Sequence, residues 1–386
     1  MAGRFVARSV FEVSPSITKS YFLGHHTAAL TAMRKMLSNI GLIIECRDSR
    51  VPLTSANPLL ETSLAGRDRV VVFTKSGLCP RLPEPLPYPL LPSSPLISQK
   101  TDRSVVDNNS GDVKTRAVCT DAYSPQSIVR LLDVIKSYAA AHDSLLGLRA
   151  LVVGMPNSGK STLLNALRTV GMGSAQTVAR TGSHPGVTRK LSTPVRIVAA
   201  TDTSTPTTDT HSSEEEYAPD YGEGVFVIDT PGVFVPYMAD AEAMLKLSLV
   251  GGVKDGIVPM EIVADYLLFR LNLHSPSIYA DFCATPTNDI LEFLDTVARR
   301  TGKLGKGGVP AREQAAEWFV WQWRRKGLGR FCLDDVSEDG LRAHAKMLRE
   351  RETGEERRPV SLNQARKAAK AERKARNAAK RAGIMN

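Results

Sequence analysis

The sequence predicts an α/β fold, a parallel sheet covered by helices on both faces, followed by a small all-α region and a basic tail. Three observations predict it. Apolar runs at 40–46, 69–73, 149–153 and 225–228 are nearly continuous rather than alternating, as strands buried on both faces are. Helical patterns separate these runs, the β-α alternation of a parallel sheet. Gly154-Met155-Pro156-Asn157-Ser158-Gly159-Lys160-Ser161 fits G-x-x-x-x-G-K-[ST] and sits between a strand and a helix, the context that makes this a P-loop.

The elements follow in order. Residues 1–20 carry Arg4, Arg8 and Lys19 against one acid, Glu12, and read as an organelle transit segment or an ordinary N-terminal extension. At 27–39, Ala29, Leu30, Met33, Met36 and Leu37 fall on one helical face. The strand at 40–46 leads into a loop, Asp48-Ser49-Arg50-Val51-Pro52, and Asn57-Pro58 opens a helix ending near Gly66. The strand at 69–73 ends in Thr74-Lys75-Ser76-Gly77. Residues 79–112 are rich in Pro, Ser and Asp without periodicity and are expected to be a long, unstructured loop. A short strand at 117–120 and an amphipathic helix at 127–141 precede the P-loop strand. Beyond the P-loop helix come a polar loop at 183–189, a strand at 195–199, a solvated Thr/Ser/Glu-rich insertion at 201–224, and the strand at 225–228. From 239 on, the pattern is helical: 239–250, 259–271, 288–301, 310–326 and 337–350. The aromatics Trp318, Phe319, Trp321 and Trp323 are expected to form a helical core rather than a base-stacking surface.

Composition bounds the function. A chain of 386 residues with 42% apolar content has room for two or three domains, and no apolar run reaches the length of a membrane span. Cysteines 46, 79, 119, 283 and 332 form no C-x-x-C pair, so neither a zinc site nor a disulfide framework is expected. The net charge of +10 is concentrated at the end, where 341–386 hold 14 Lys/Arg and 5 Asp/Glu. That points to an acidic partner, nucleic acid foremost, and the charged helix pattern at 361–382 suits phosphate contact better than a core.

The chemistry of the P-loop explains its residue types. Glycines let backbone N–H groups close on phosphate oxygens, and the helix N-terminus adds its positive dipole end. Asn157, Ser158, Gly159, Lys160, Ser161 and Thr162 form the cradle, with Lys160 reaching the outer phosphates and Ser161 a Mg²⁺ ligand. Asp229-Thr230-Pro231-Gly232 follows a later strand. Asp229 is placed to hold Mg²⁺ and Gly232 to offer an N–H to the γ-phosphate, with Thr188 completing the metal shell from a loop that would order on triphosphate.

GMPNSGKSTLLNAL, then PGVTR and DTPG, with a candidate base loop at 74–77 preceding rather than following the P-loop, resemble the circularly permuted GTPases, specifically the YlqF/RbgA ribosome-assembly group and its mitochondrial relatives. YFLGHH, ECRDSRVP and Asn57-Pro58 add to the likeness, which covers roughly 20–335. The resemblance implies a GTP/GDP-binding GTPase that acts on the large subunit of the mitochondrial ribosome and its rRNA, in the matrix or on the matrix face of the inner membrane. It implies that Thr74 and Lys75 belong to the base loop, that Asn157 coordinates K⁺ beside Mg²⁺, and that His25 positions the attacking water, with His26 the lesser choice. It replaces the usual catalytic glutamine with apolar Val233 and Phe234. The domains it suggests are a transit segment at 1–20, a G domain at 21–238, a helical domain at 239–335 and a basic extension at 336–386.

One stretch departs from the group. The base loop reads T-K-S-G where N-K-x-D is usual, and Thr120-Asp121-Ala122 fits the last base-contacting loop only loosely. Gly77 has no carboxylate for guanine, a loss of about 3 kcal/mol or more, on the order of a hundredfold in affinity. Two alternatives therefore stand beside a GTPase: a base-tolerant NTPase, and an RNA-binding scaffold with weak nucleotide binding.

Overall fold

The computed structural model describes residues 5–14, 17, 24–79, 108–110, 113–142, 145–174, 176–179, 182, 188, 191–200, 220–234, 238, 240–325 and 327–352. The expected loop at 80–107, most of the polar loop at 183–189, most of the insertion at 201–224 and the basic helix at 361–382 lie outside them.

The elements run α1 (Gly24–Met36), β1 (Leu42–Asp48), α2 (Pro58–Ser63), β2 (Arg69–Thr74), β3 (Asn108–Ser110), β4 (Val113–Cys119), α3 (Pro125–His142), β5 (Leu148–Gly154), α4 (Lys160–Met172), β6 (Val195–Val198), β7 (Val225–Asp229), α5 (Ala241–Leu249), α6 (Met260–His274), α7 (Ile290–Thr301), α8 (Arg312–Arg324) and α9 (Glu338–Glu352). Among the described residues these strands form one sheet in the order β3-β4-β2-β1-β5-β7-β6. β4, β2, β1, β5 and β7 run parallel. The edges differ from the expected all-parallel sheet: β3 pairs antiparallel with β4, and β6 antiparallel with β7. β3 also puts a short strand inside the stretch expected to be unstructured. Asn-Asn-Ser carries no apolar signal, and only pairing with β4 makes it a strand.

Period-two alternation covers both faces. Leu42, Ile44 and Cys46 of β1, Val70 and Val72 of β2 and Ala150 and Val152 of β5 pack with α3 and α4 through Ile128, Leu131, Leu163 and Leu167. On the opposite face Ile43, Leu151 and Val153 meet Ala29, Leu30 and Met33 of α1 and Leu60 of α2. That face also buries charge. Arg47 Nε donates to Glu45 Oε1 at 2.7 Å and Arg69 Nη1 to Glu45 Oε2 at 3.0 Å. Burial alone would raise the Glu45 pKa, but the two guanidinium groups bring it below the usual value. A charged pair inside a central strand is tolerable only when its lone pairs and protons are used in this way.

α5 to α8 build a second core around Met244, Leu267, Phe293, Phe319 and Trp323. Asp240 caps α5 and Asp289 caps α7, each accepting from two first-turn N–H groups. Phe319 and Trp323 are buried as expected, and Trp318 packs partly against the core. Trp321 departs: it is 44% exposed, with the Arg325 guanidinium 4.0 Å from its ring centroid. One helix face holds positions 319, 320 and 323, and position 321 falls off it.

Residues near the N-terminus join this core. Arg8 pairs with Asp265 of α6, Phe11 stands edge-on to Tyr266 at 5.3 Å, Asn288 Nδ2 donates to the Val6 carbonyl, and Ile17 is buried. Met1–Leu341 form one compact unit and Arg342–Asn386 a second.

Candidate functional site

The P-loop bridges β5 and α4. Gly154, at φ +145, lets the backbone pass against the Cys46 carbonyl, where a Cβ would collide. Gly159 takes φ +87 as the residue before α4, and Asn157 is left-handed at φ 55, a conformation asparagine tolerates. Lys160, Ser161 and Thr162 form the first turn of α4, whose N–H groups have no intrahelical acceptor.

Three side-chain donors hold the P-loop carbonyls, two of them from the base loop. Lys160 Nζ donates to Met155 O at 2.7 Å, Lys75 Nζ to Asn157 O at 2.7 Å, and Thr74 Oγ1 to Ser158 O at 2.7 Å. With the carbonyls held, a peptide chain of this shape turns its N–H groups the other way, as a phosphate requires. Lys160 is 6% exposed and makes no carboxylate ion pair among the described residues. Burial lowers its pKa, with partial compensation from Asp229. An ammonium in that position is suited to receive an anion.

Asp229 ends β7 beside this turn. Ser161 Oγ donates to Asp229 Oδ2 at 2.6 Å, and Ser161 Oγ lies 3.2 Å from Thr188 Oγ1. Asp229 Oδ1 is buried with no hydrogen-bond partner among the described groups. Burial raises the Asp229 pKa against the lowering effect of Ser161 and Lys160. Three hard oxygens together, one of them an orphaned carboxylate oxygen, fit Mg²⁺. Gly232 approaches the P-loop so closely that a Cβ would stand 2.6 Å from Pro156 Cα, and Val233 N donates to Gly154 O at 3.1 Å. Val233 and Phe234 are fully buried.

Structure thus brings together Asn157, Ser158, Gly159, Lys160, Ser161, Thr162, Thr188, Asp229, Gly232, Thr74 and Lys75. Asn157 Nδ2 donates to the Gly251 carbonyl at 2.7 Å. His25 lies in the first turn of α1, and its side chain, like that of His26, is outside the described atoms. Thr120 ends β4 beside the base loop, its carbonyl accepting from Ser76 N at 3.0 Å.

Sequence reasoning missed three contributors. Asp48 accepts from Lys75 Nζ at 2.8 Å and from Arg50 Nη2 at 2.7 Å, fixing the lysine that holds Asn157. Burial would raise the Asp48 pKa, but Arg50 and Lys75 drive it far below the carboxylate range. Asn57 caps α2 by accepting from Leu59 N and donates from Nδ2 to Val233 O at 2.8 Å, tying α2 to the turn after Gly232. Arg324 clamps the end of α5. The signal present in sequence, charged and Asn residues flanking strands, does not identify partners so far away along the chain.

Comparison with known proteins decides the family. A family model described as 50S ribosome-binding GTPase matches residues 149–275. "Mitochondrial GTPase 1" of Schizosaccharomyces japonicus is 35% identical over 323 residues, 83% of this chain and 91% of that protein.

The chain belongs to the mitochondrial GTPase 1 family.

"Mitochondrial GTPase 1" of Schizosaccharomyces pombe is 32% identical, covering 87% of this chain and 95% of its own. "Mitochondrial ribosome-associated GTPase 1" of Xenopus tropicalis is 28% identical, covering 86% and 99%. The crystal structure of GNP-bound YlqF from T. maritima aligns at a TM-score of 0.44 with 18% identity, over 80% of this chain and 99% of that one. As a member of the mitochondrial GTPase 1 family the chain is a nucleotide-binding GTPase. Its motif order is permuted: the loop at 74–77 precedes the P-loop in sequence, while in space Thr74 and Lys75 rest on it.

Proposed function

We propose that this GTPase is an assembly factor for the large subunit of the mitochondrial ribosome, whose nucleotide state sets its grip on rRNA. The observation that carries the nucleotide half is the pairing of a buried, anion-seeking Lys160 with the Ser161–Asp229 contact, a phosphate pocket beside a metal pocket. The ribosomal half is supported by the printed names of the Xenopus relative and of the matching family model, and by the basic end of the chain.

In this reading Ser161, Asp229 and Thr188 hold Mg²⁺, which when bound neutralises charge on the β- and γ-phosphate oxygens. Asn157 is the proposed K⁺ ligand and His25 the group that orients the attacking water. Lys160 and the α4 N-terminus bind the phosphates, while Thr74 and Lys75 brace the cradle and border the base. The proposed division is a targeting segment at 1–20, a G domain at 21–238, a helical domain at 239–335 and a basic extension at 336–386 that meets rRNA. The mitochondrial names of the relatives support a mitochondrial location; a place in the matrix, peripheral to the inner membrane, is the finer part of this proposal. No helix among the described residues is long and apolar enough to cross a membrane.

The test is Lys160→Ala on the full chain, read by binding of a fluorescent GTP analogue and by phosphate release. Loss of both is expected. Unchanged triphosphate affinity would remove the P-loop assignment, whereas no triphosphate binding by the wild type would leave an RNA-binding scaffold.

A further inference from the structure

Arg324, the last residue of α8, reaches back across the helical core to the end of α5. Its Nη2 donates to Ser248 O at 2.8 Å and its Nε to Leu249 O at 3.0 Å. Asp255 steadies the guanidinium at 2.9 Å from the other side. Ser248 O also accepts from Gly251 N at 3.0 Å, and a cation at this helix end meets the negative end of the dipole. The chain then turns at Gly251, φ +80, whose carbonyl accepts from Asn157 Nδ2 at 2.7 Å.

The two contacts meet at one point. A Cβ at Gly251 would lie 3.6 Å from Arg324 Cζ and 3.8 Å from Asn157 Nδ2. Asn157 is the left-handed non-glycine residue of the P-loop, and its own carbonyl is held by Lys75. Its conformation is therefore set from two directions, by the base loop through its carbonyl and by the helical region through its amide.

We propose that Arg324 is a positioning residue for the phosphate-binding loop: it fixes the Gly251 carbonyl, the carbonyl fixes Asn157, and the helical region thereby sets how fast nucleotide leaves. This rests on the nucleotide-site reading above and adds to it a route by which the helical region acts on the site. Asn157 itself contacts the proposed ligand region; Arg324 acts only through it. A chain of contacts does not by itself establish coupling, so the test must measure coupling directly.

The experiment is stopped-flow release of a fluorescent GDP analogue from the full-length protein. Four forms are compared: wild type, Arg324→Ala, Asn157→Ala and the double variant. Arg324→Ala, which removes two bonds to carbonyls and the Asp255 pairing, should speed release about tenfold. The double variant should release no faster than Asn157→Ala alone, because the arginine then has nothing left to position. Arg324→Lys should recover only part of the wild-type rate, since an ammonium lacks the planar fork. Asp255→Asn, a milder change at a more exposed side chain, should shift release in the same direction if Arg324→Ala does not fold. Multiplying effects in the double variant would overturn the proposal, because a general loosening acts independently of Asn157. So would an unaltered release rate in both Arg324→Ala and Asp255→Asn. A wild type that binds no GDP analogue would instead defeat the nucleotide-site reading, and the proposal would fall with it.

Discussion

Asp48 shows how much of this site depends on one buried carboxylate. It is 3% exposed and serves Arg50, whose guanidinium also lies 4.9 Å from the Trp323 ring, and Lys75, which holds the P-loop. Its pKa is depressed in the fold, so it contributes stability above the unfolded value near ~3.9 and loses it as pH falls below that. Asp48→Asn should cost about 3–5 kcal/mol at pH 7, because two cations lose their counter-charge. Urea midpoints at pH 7 and pH 3 check this: the gap between wild type and variant should narrow at pH 3. An equal gap at both would show that the carboxylate's charge is not what the site uses. None of this was legible in ECRDSR, which reads only as a strand end and a polar loop. Lys160 and Ser161 were legible because the P-loop is a local pattern whose chemistry fixes residue types, and Asp229 because DTPG follows a later buried strand. Thr74 stands where the group has asparagine, and its hydroxyl still ties the base loop to Ser158. Pairing between positions 84 residues apart is a tertiary fact that no local pattern carries.

Strands and helices were legible wherever burial imposes periodicity. β1, β2, β5 and β7 are covered on two faces, so their apolar runs are unbroken, and α3 and α7 carry one-sided stripes. What failed was set by neighbours: β3 exists only as an edge beside β4, and the antiparallel direction of β6 follows from chain connection rather than composition. The segment around Phe11 is a further case. Its arginine suggested a cationic targeting signal, while in the fold Arg8 pairs with Asp265 and stacks toward Phe269, and Phe11 and Val13 pack on the helical core. Both properties can belong to one stretch. Phe11→Ala should destabilise the protein by about 1–3 kcal/mol, less than a fully buried aromatic because Phe11 is only partly covered. A thermal melt should fall by several degrees. An unchanged melting temperature would show that the segment adds nothing to the core.

Charge along the whole chain is uneven, and this bears on partner choice. The excess lies at 341–386, beyond the G-domain elements, so the proposed rRNA contact and nucleotide binding can be tested separately by truncation. Deleting 361–386 should weaken rRNA binding and flatten its dependence on salt, as fewer counterions are released, while basal GTP hydrolysis stays as it was. An unaltered salt slope would assign the rRNA contact elsewhere. Fold class and family were legible at this level, since motif order is read directly from sequence. Base choice was not, because Gly77 removes the side chain that would have announced it, and Ser76–Leu78 form a short 3₁₀ turn beside Thr120 instead. The most direct measurement is therefore equilibrium competition on the purified protein. GTP, ATP and XTP would each displace a fluorescent triphosphate with Mg²⁺ present, in K⁺ and again in Na⁺. A GTPase of this family should prefer GTP clearly, and more so in K⁺ if Asn157 ligates it. Equal displacement by ATP and GTP, or none by any of them, would contradict the account.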